Sequence, residues 1–309
     1  MRQCFHCDQP LPEGAVFCPA CGNGAPVPAP TPCVHCATPI PDGARFCPGC
    51  GRPTVPPKRP EGALPITVIT ERDIRVAFDR AFATYLQEDY PKLDPAPFYA
   101  RLESSDFRRV RDTKLTQLQR DTLFMQDRAH RTEAQWSYLA HAFYDLLDYF
   151  VVRYCRDLTG DPLPETILQY QHKPIQEINL FQLMLDYLEL DRLEERVYTD
   201  FVRDMPADKL RNASHSFLFP PKNERILFIS DQSTFGSVRE GYAMTEAAIY
   251  WKAHFEPAAY VRYDNLRAIR REQKWISVNG LFFNVSPAIN LRMLKLLRKL
   301  QFLYNPALV

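Results

Sequence analysis

The spacing of apolar residues divides the chain into a long helical segment and a segment of strands. Between residues 66 and 215, apolar side chains recur every three or four positions, the period of an amphipathic helix. Phe78, Phe82 and Leu86 follow this period shortly after a Thr-Glu-Arg-Asp sequence at 70–73, which is typical of a capped helix start. Further helices are predicted over residues 107–131, 133–157, 178–190 and 191–204.

After Arg225 the apolar period changes to two, which indicates strands. The clearest turn signal is Asn279-Gly280, because Asn-Gly favours a two-residue hairpin. An amphipathic helix is predicted over 286–302. Antiparallel strands followed by one helix are the layout of a pleckstrin-homology-like (PH-like) barrel with a capping helix. Strands are predicted over residues 226–230, 241–255, 259–262, 266–270, 275–278 and 281–285.

Three short sequences in this segment, 231–237, 240–245 and 249–252, carry a resemblance. They contain a Phe-Gly-Ser turn and a Gly-aromatic strand and resemble uncharacterised bacterial proteins with a PH-like C-terminal module. The resemblance implies a binding scaffold rather than a reaction. Strands with an open edge commonly bind partner peptides by strand addition.

The cysteines form a repeat near the N-terminus. Eight of the nine stand in Cys-x-x-Cys pairs, and within each unit ten residues separate one pair from the next. Four thiolates at this spacing form a closed tetrahedral zinc site, which leaves no coordination position for substrate. We therefore predict two structural Zn²⁺ ions per chain. The predicted ligands are Cys4, Cys7, Cys18 and Cys21 in the first unit, and Cys33, Cys36, Cys47 and Cys50 in the second.

A disulfide framework is the alternative interpretation of eight cysteines. No apolar leader precedes Cys4, so nothing in the sequence suggests secretion. A metal also explains how about 20 residues fold without a core, since such short segments usually need a metal or disulfides. His6 and His35 lie inside the first pair of each unit, and we expect neither to be a ligand.

Both units read apolar-Pro-acidic-Gly-Ala-x-Phe-Cys-Pro-x-Cys-Gly, at 11–22 and 40–51. They resemble the small zinc ribbons found at the N-termini of many prokaryotic proteins. Such ribbons bind nucleic acid, bind protein or cap a chain.

Proline-rich stretches mark the domain boundaries, because dense proline gives extended spacers. The predicted fold is a multidomain α+β chain with two β zinc ribbons, a central all-α domain and a C-terminal antiparallel PH-like barrel. The segments are ribbon 1 at 1–24, a linker at 25–32, ribbon 2 at 33–52, a linker at 53–65, the helical domain at 66–215 and the PH-like domain at 216–309.

Charge is unevenly distributed along the chain. Residues 63–215 carry 20 Lys/Arg and 26 Asp/Glu, a net charge of −6, whereas residues 216–309 carry 13 and 7, a net charge of +6. The basic residues could form a solvated face, bind an acidic protein, nucleic acid or an anionic membrane surface, or dock onto the acidic helical domain. The candidate partner-binding residues are Arg267, Arg270, Arg271, Lys274, Arg292, Lys295, Arg298 and Lys299.

Catalytic motifs are scarce. His141 and Asp145 stand one helical turn apart, and His130 lies nearby, but the sequence has no HExxH motif and no glycine-rich phosphate loop. Cys155 stands alone in an apolar stretch, and we expect it to be a small buried side chain that packs in the core. We therefore expect that the protein is not an enzyme.

The sequence favours a cytoplasmic, prokaryotic, non-catalytic adaptor that binds zinc and a protein partner, or a second copy of itself. No stretch approaches 18 apolar residues, so no transmembrane segment is expected. The first alternative is a nucleic-acid-binding accessory factor, for example in defence or repair. The second is an enzyme centred on His141 and Asp145, which would require those side chains to open into a cleft.

Elemental analysis of metal-replete protein should find two zinc ions per chain, because the spacing provides two complete thiolate sets. Cys4→Ser should unfold only the first ribbon, because the proline-rich linker separates the two units. One zinc ion or none in the unmodified protein would contradict this prediction.

Overall fold

The computed structural model describes residues 2–4, 6–11, 19–21, 31–32, 38–40, 69–124, 131–160, 162–190, 196–201, 203–272, 274–286 and 289–305. The chain separates into two compact units, Met1–Ile66 and Thr67–Val309. We call the first the N-terminal unit and the second the body.

The N-terminal unit contains two short antiparallel hairpins. Strand β1 (Arg2–Gln3) pairs with β2 (Pro10–Leu11), and β3 (Thr31–Pro32) pairs with β4 (Pro39–Ile40). In each hairpin the two strands flank the first Cys-x-x-Cys pair of a repeat. The two sequence repeats therefore each form the same kind of hairpin around their first cysteine pair.

Among the described residues, six α-helices lie in the first part of the body. The predicted start of α1 is confirmed: the Thr70 side chain accepts from the Asp73 amide, and the Asp73 carboxylate accepts from the Thr70 amide. This reciprocal capping satisfies two donors that a helix start would leave unpaired. The helices are α1 (Glu71–Asp89), α2 (Ala96–Ser104), α3 (Phe107–Phe124), α4 (Arg131–Tyr154), α5 (Leu180–Leu188) and α6 (Ala207–Ser216).

Aromatic side chains fill the space between α1, α3 and α4. Phe82 meets the ring of Phe150 edge to face at 5.8 Å, and Phe107 lies 4.6 Å from the same ring. All three are fully buried. Such pairs add about 0.5–1.5 kcal/mol each beyond the burial of their area, so they fix the packing of these helices.

The remaining strands form two antiparallel sheets. The larger contains β5 (Arg196–Tyr198), β6 (Ile226–Asp231), β7 (Gly241–Thr245), β8 (Ala248–Lys252) and β9 (Ala259–Arg262), in that order. The smaller contains β10 (Ile269–Arg271), β11 (Ile276–Val278) and β12 (Leu281–Phe283). Asn279 and Gly280 both have positive φ, which confirms the predicted hairpin turn between β11 and β12.

Two predicted elements differ from the structure. The helix predicted over 191–204 is wrong at residues 196–198, which form edge strand β5 on β6. Val197 and Tyr198 suit a strand, and pairing with β6 overrides the helical spacing. The single strand predicted over 241–255 is a hairpin, because the Thr245 hydroxyl accepts from the Ala247 and Ala248 amides and closes a turn without Gly or Pro.

The predicted barrel is also not found, since the two sheets do not join into a closed barrel among the described residues. The last helix, α7 (Asn290–Tyr304), buries more than one face and packs against both α5 and β10. One hydrophobic core includes residues on both sides of the predicted 215/216 boundary. The buried apolar residues of α7 are Leu291, Met293, Leu294, Leu296, Leu297, Leu300 and Leu303.

A fragment comprising residues 67–309 should fold without the N-terminal unit, because its contacts form a separate compact unit. We expect a cooperative thermal transition by circular dichroism, and limited proteolysis of the full chain should cut near Lys58-Arg59. An insoluble fragment, or one without a cooperative transition, would contradict this.

Candidate functional site

Three of the predicted zinc ligands lie together in the N-terminal unit. The sulfurs of Cys4, Cys7 and Cys21 all lie within 4.8 Å of one another, and the Cys4 and Cys21 sulfurs are 3.6 Å apart. A tetrahedral zinc with Zn–S bonds of about 2.3 Å places its sulfurs about 3.8 Å apart. The three side chains therefore fit a zinc ion.

The backbone around Cys4 sets this geometry. The Cys4 amide donates to the Gln9 carbonyl, and the Asp8 amide donates to the Cys4 carbonyl at 2.9 Å. Asp8 has φ 55°, so the chain turns sharply after Cys7. His6 is exposed and outside the sulfur cluster, in agreement with its assignment as a non-ligand. Five predicted positions lie outside the described residues: Cys18, Cys33, Cys36, Cys47 and Cys50, together with His35.

The basic residues of α7 do not form the exposed face considered for a partner. Lys295 and Lys299 are only 3% and 5% exposed. The side chains of Arg292 and Arg298 are each 13% exposed. All four face acidic residues of the helical segment. The basic residues of α7 therefore dock onto the acidic helical segment of the same chain, which was one of the alternatives considered from the sequence.

Lys295 occupies the centre of this arrangement. Its ammonium lies 2.5 Å from an Asp89 carboxylate oxygen and 2.6 Å from Asp148. The Tyr85 hydroxyl donates to the same Asp148 oxygen at 2.8 Å, and the ammonium lies 3.7 Å from the Tyr85 ring centroid. Burial raises the pKa of Asp148. Burial also acts to raise the pKa of Asp89, but Lys295 and Arg298 outweigh it and lower that pKa.

The two arginines of α7 also form ion pairs with carboxylates of the helical segment. Arg298 donates to Asp89 at 2.8 Å and to Glu88 at 2.6 Å, at the C-terminal end of α1. Arg292 lies 2.7 Å from Glu189, just beyond the end of α5. Consecutive turns of α7 therefore hold different parts of the helical segment.

Lys299 forms an ion pair with Asp145, the partner of His141 in the pair identified from the sequence. Its ammonium lies 3.3 Å from both carboxylate oxygens of Asp145, and His141 Nε2 lies 3.2 Å from Asp145. Burial acts to raise the pKa of Asp145, but Lys299 and His141 outweigh it and hold that pKa below its usual range. Burial lowers the pKa of His141, so its ring is neutral near pH 7.

The strand-side candidates lie elsewhere. Arg267, Arg270 and Lys274 are exposed. Arg271 is half-buried and donates to the Asp89 carbonyl. Of the strand-side residues, only Arg271 thus joins the buried network directly.

A cleft of about 410 Å³ opens beside the network. His141 and Asp145 both line this cleft. The alternative of an enzyme centred on these two residues required such an opening. His130 lies outside the described residues. Cys155 is buried, and burial raises the pKa of its thiol to about 12, which agrees with an inert packing role.

Sequence reasoning missed the acidic half of the network. Glu88, Asp89 and Asp148 were not singled out as site residues. A usable signal existed, since Asp148 interrupts the apolar run Leu146-Leu147-Asp148-Tyr149-Phe150. A charge on an apolar helix face needs a buried partner.

A second cleft lies at one end of the larger sheet, where β6 and β8 end on either side of the start of β7. Phe235 follows β6 and is 95% exposed, and Phe255 follows β8 and is 93% exposed. The Asp231 carboxylate fixes the first turn by accepting from the Ser233 and Val238 amides. The cleft is lined by Asp231, Gln232, Ser233, Glu240, Lys252, Ala253, His254, Asn284 and Val285.

Residues 4–51 match the family model described as double zinc ribbon. This match and the sulfur cluster support zinc binding by the N-terminal unit. Neither the comparison with curated proteins nor that with solved structures yields a match. Among the described residues, no helix combines the length and the apolar character needed to cross a lipid bilayer.

Lys295→Met should destabilise the body by about 3–5 kcal/mol, because it leaves Asp148 buried without a cation and leaves Asp89 with Arg298 alone. Arg225→Met is the matched control. Arg225 pairs with Glu246 at 3.0 Å, but the two side chains are 69% and 45% exposed, so its loss should cost about 0–1 kcal/mol. Urea unfolding of both variants measures the difference, and equal costs would contradict the structural role of Lys295.

Proposed function

We propose that the protein is a non-catalytic, zinc-binding adaptor that engages a protein partner. The double zinc ribbon match and the thiolate cluster support the zinc-binding part. The ribbons hold two zinc ions in closed thiolate sets, which leave no coordination position for a substrate. The metal therefore shapes a small binding module and takes no part in a reaction.

Two exposed phenylalanines at one end of the larger sheet support the proposal of a protein partner. Phe235 and Phe255 lie on turns at the same end of one sheet and are almost fully exposed. Aromatic side chains are enriched among the residues that anchor protein interfaces. The cleft between the turns offers polar groups, including Glu240 and Lys252, as a rim. The partner is a protein that presents an apolar pocket to both rings.

Charge supports a protein partner over nucleic acid. Lys295, Arg298 and Lys299 are committed to carboxylates inside the body, so they do not form a surface for phosphates. We also propose a cytoplasmic location and a prokaryotic origin. The C-terminal strands with α7 are proposed to be a diverged PH-like module.

Catalysis is a second candidate because His141 and Asp145 line the cleft beside the buried ion-pair network. A neutral imidazole hydrogen-bonded to an ionised carboxylate is the arrangement of a general base. His141 Nδ1 makes no hydrogen bond to a described residue, so it could accept a proton. Lys299 already holds Asp145, and the His141 ring stacks on Phe302, which favours a structural role.

Phe235→Ser/Phe255→Ser should abolish partner capture while zinc content and the melting temperature stay unchanged. Affinity purification of the full chain with mass spectrometry, with and without nuclease, makes the measurement. Phe124→Ser is the matched control, since Phe124 is 85% exposed on α3.

Equal capture by the double variant and the wild-type chain would contradict the proposal. Nuclease-sensitive capture would favour the nucleic-acid alternative instead. Loss of capture in the Phe124 control as well would show that general surface stickiness explains the result.

A further inference from the structure

The cleft beside the buried ion-pair network has one wall made by a single face of α4. Ser137, Ala140, His141 and Tyr144 recur every three or four residues along it. Phe302 near the end of α7 and the segment from Arg267 to Arg270 line the other sides. The volume of about 410 Å³ lies within the range of about 300–1,000 Å³ that is usual for small-molecule sites.

The carboxylates that line this cleft are already neutralised. Asp148 is paired with Lys295, and Asp145 is paired with Lys299. Glu88 is paired with Arg298 at 2.6 Å. A cationic ligand would have to break one of these pairs, so the acidic side of the cleft does not favour one.

Two lining cations remain without an acidic partner. Arg267 and Arg270 are exposed, and no carboxylate of the described residues lies within ion-pair distance of either. The Arg267 guanidinium donates to the neutral side-chain oxygen of Asn305 at 3.2 Å. A guanidinium presents a planar set of donors that matches carboxylate and phosphate oxygens. The cleft therefore carries an excess of positive charge on the side of these arginines.

Neutral donors and aromatic rings complete the lining. The hydroxyls of Ser137 and Tyr144 make no hydrogen bond to a described residue. Burial raises the pKa of Tyr144 to about 12, so its hydroxyl stays protonated and can donate. The His141 and Phe302 rings stack with an angle of 11° between their planes and add a flat apolar surface to the wall.

We propose that this cleft binds a small aromatic oxyanion, a molecule with a phosphate or carboxylate group attached to a flat ring. Arg267 and Arg270 contact the oxyanion, the Tyr144 hydroxyl donates to it, and the ring packs against Phe302. The proposal uses different residues from the phenylalanine surface and does not depend on the adaptor function.

Isothermal titration of the zinc-loaded full chain tests this with three probes: adenosine monophosphate, benzoate and inorganic phosphate. We expect one aromatic probe to bind with a Kd below about 1 mM and about tenfold more tightly than inorganic phosphate. The two aromatic probes distinguish a phosphate-bearing ligand from a carboxylate. Binding should also raise the melting temperature, because the probe binds only the folded chain.

Arg267→Gln/Arg270→Gln should weaken that probe by about tenfold or more. Both side chains are exposed, so the variant should fold. Arg203→Gln/Arg225→Gln removes the same charge from side chains that are 85% and 69% exposed and line no part of the cleft, and it should bind like the wild type. Tyr144→Phe should weaken binding by removing one hydroxyl.

Three outcomes would overturn the proposal: no probe bound at about 1 mM, inorganic phosphate bound as tightly as the aromatic probes, or equal affinity in the two double-arginine variants. Retained capture of a protein partner by the Arg267→Gln/Arg270→Gln variant would separate this site from the proposed adaptor surface.

Discussion

The burial of the Lys295 ammonium between Asp89 and Asp148 is the constraint on which the body depends. Asp89 ends α1, Asp148 lies in α4 and Lys295 lies in α7, so one cation ties three helices together. Removing charges from water costs several kcal/mol per ion, and only close pairing recovers it. The same register places Arg298 and Lys299 one turn further along α7, against Glu88 and Asp145.

The two units are stabilised by different means. The body surrounds its ion pairs with a core rich in aromatic and branched side chains. The N-terminal unit has hairpins of two-residue strands, which are too short to bury much apolar surface. A zinc ion held by Cys4, Cys7 and Cys21 would add binding free energy to the folding of this unit. Loss of zinc and loss of Lys295 should therefore affect different units.

The network also explains the opposite charges of the helical and C-terminal segments. Much of the positive charge of α7 meets the acidic residues of α1, α4 and α5 inside the body. Two exposed features support separate binding proposals: the arginines beside one cleft, and Phe235 and Phe255 at one end of the larger sheet.

The sequence by itself determined the features that depend on local spacing. These include the zinc-ligand repeat, whose four cysteines lie within 18 residues of one another, and the Thr70–Asp73 cap and the Asn279-Gly280 turn, which need only residues a few positions apart. Only the tertiary structure decided that residues 196–198 pair as a strand, that the sheets do not close, and that the α7 cations face inward. Sheet pairing and ion pairing join residues far apart in the chain: Lys295 and Asp89 meet because the core brings α7 against α1. A periodic pattern shows which positions are apolar but not what packs against them.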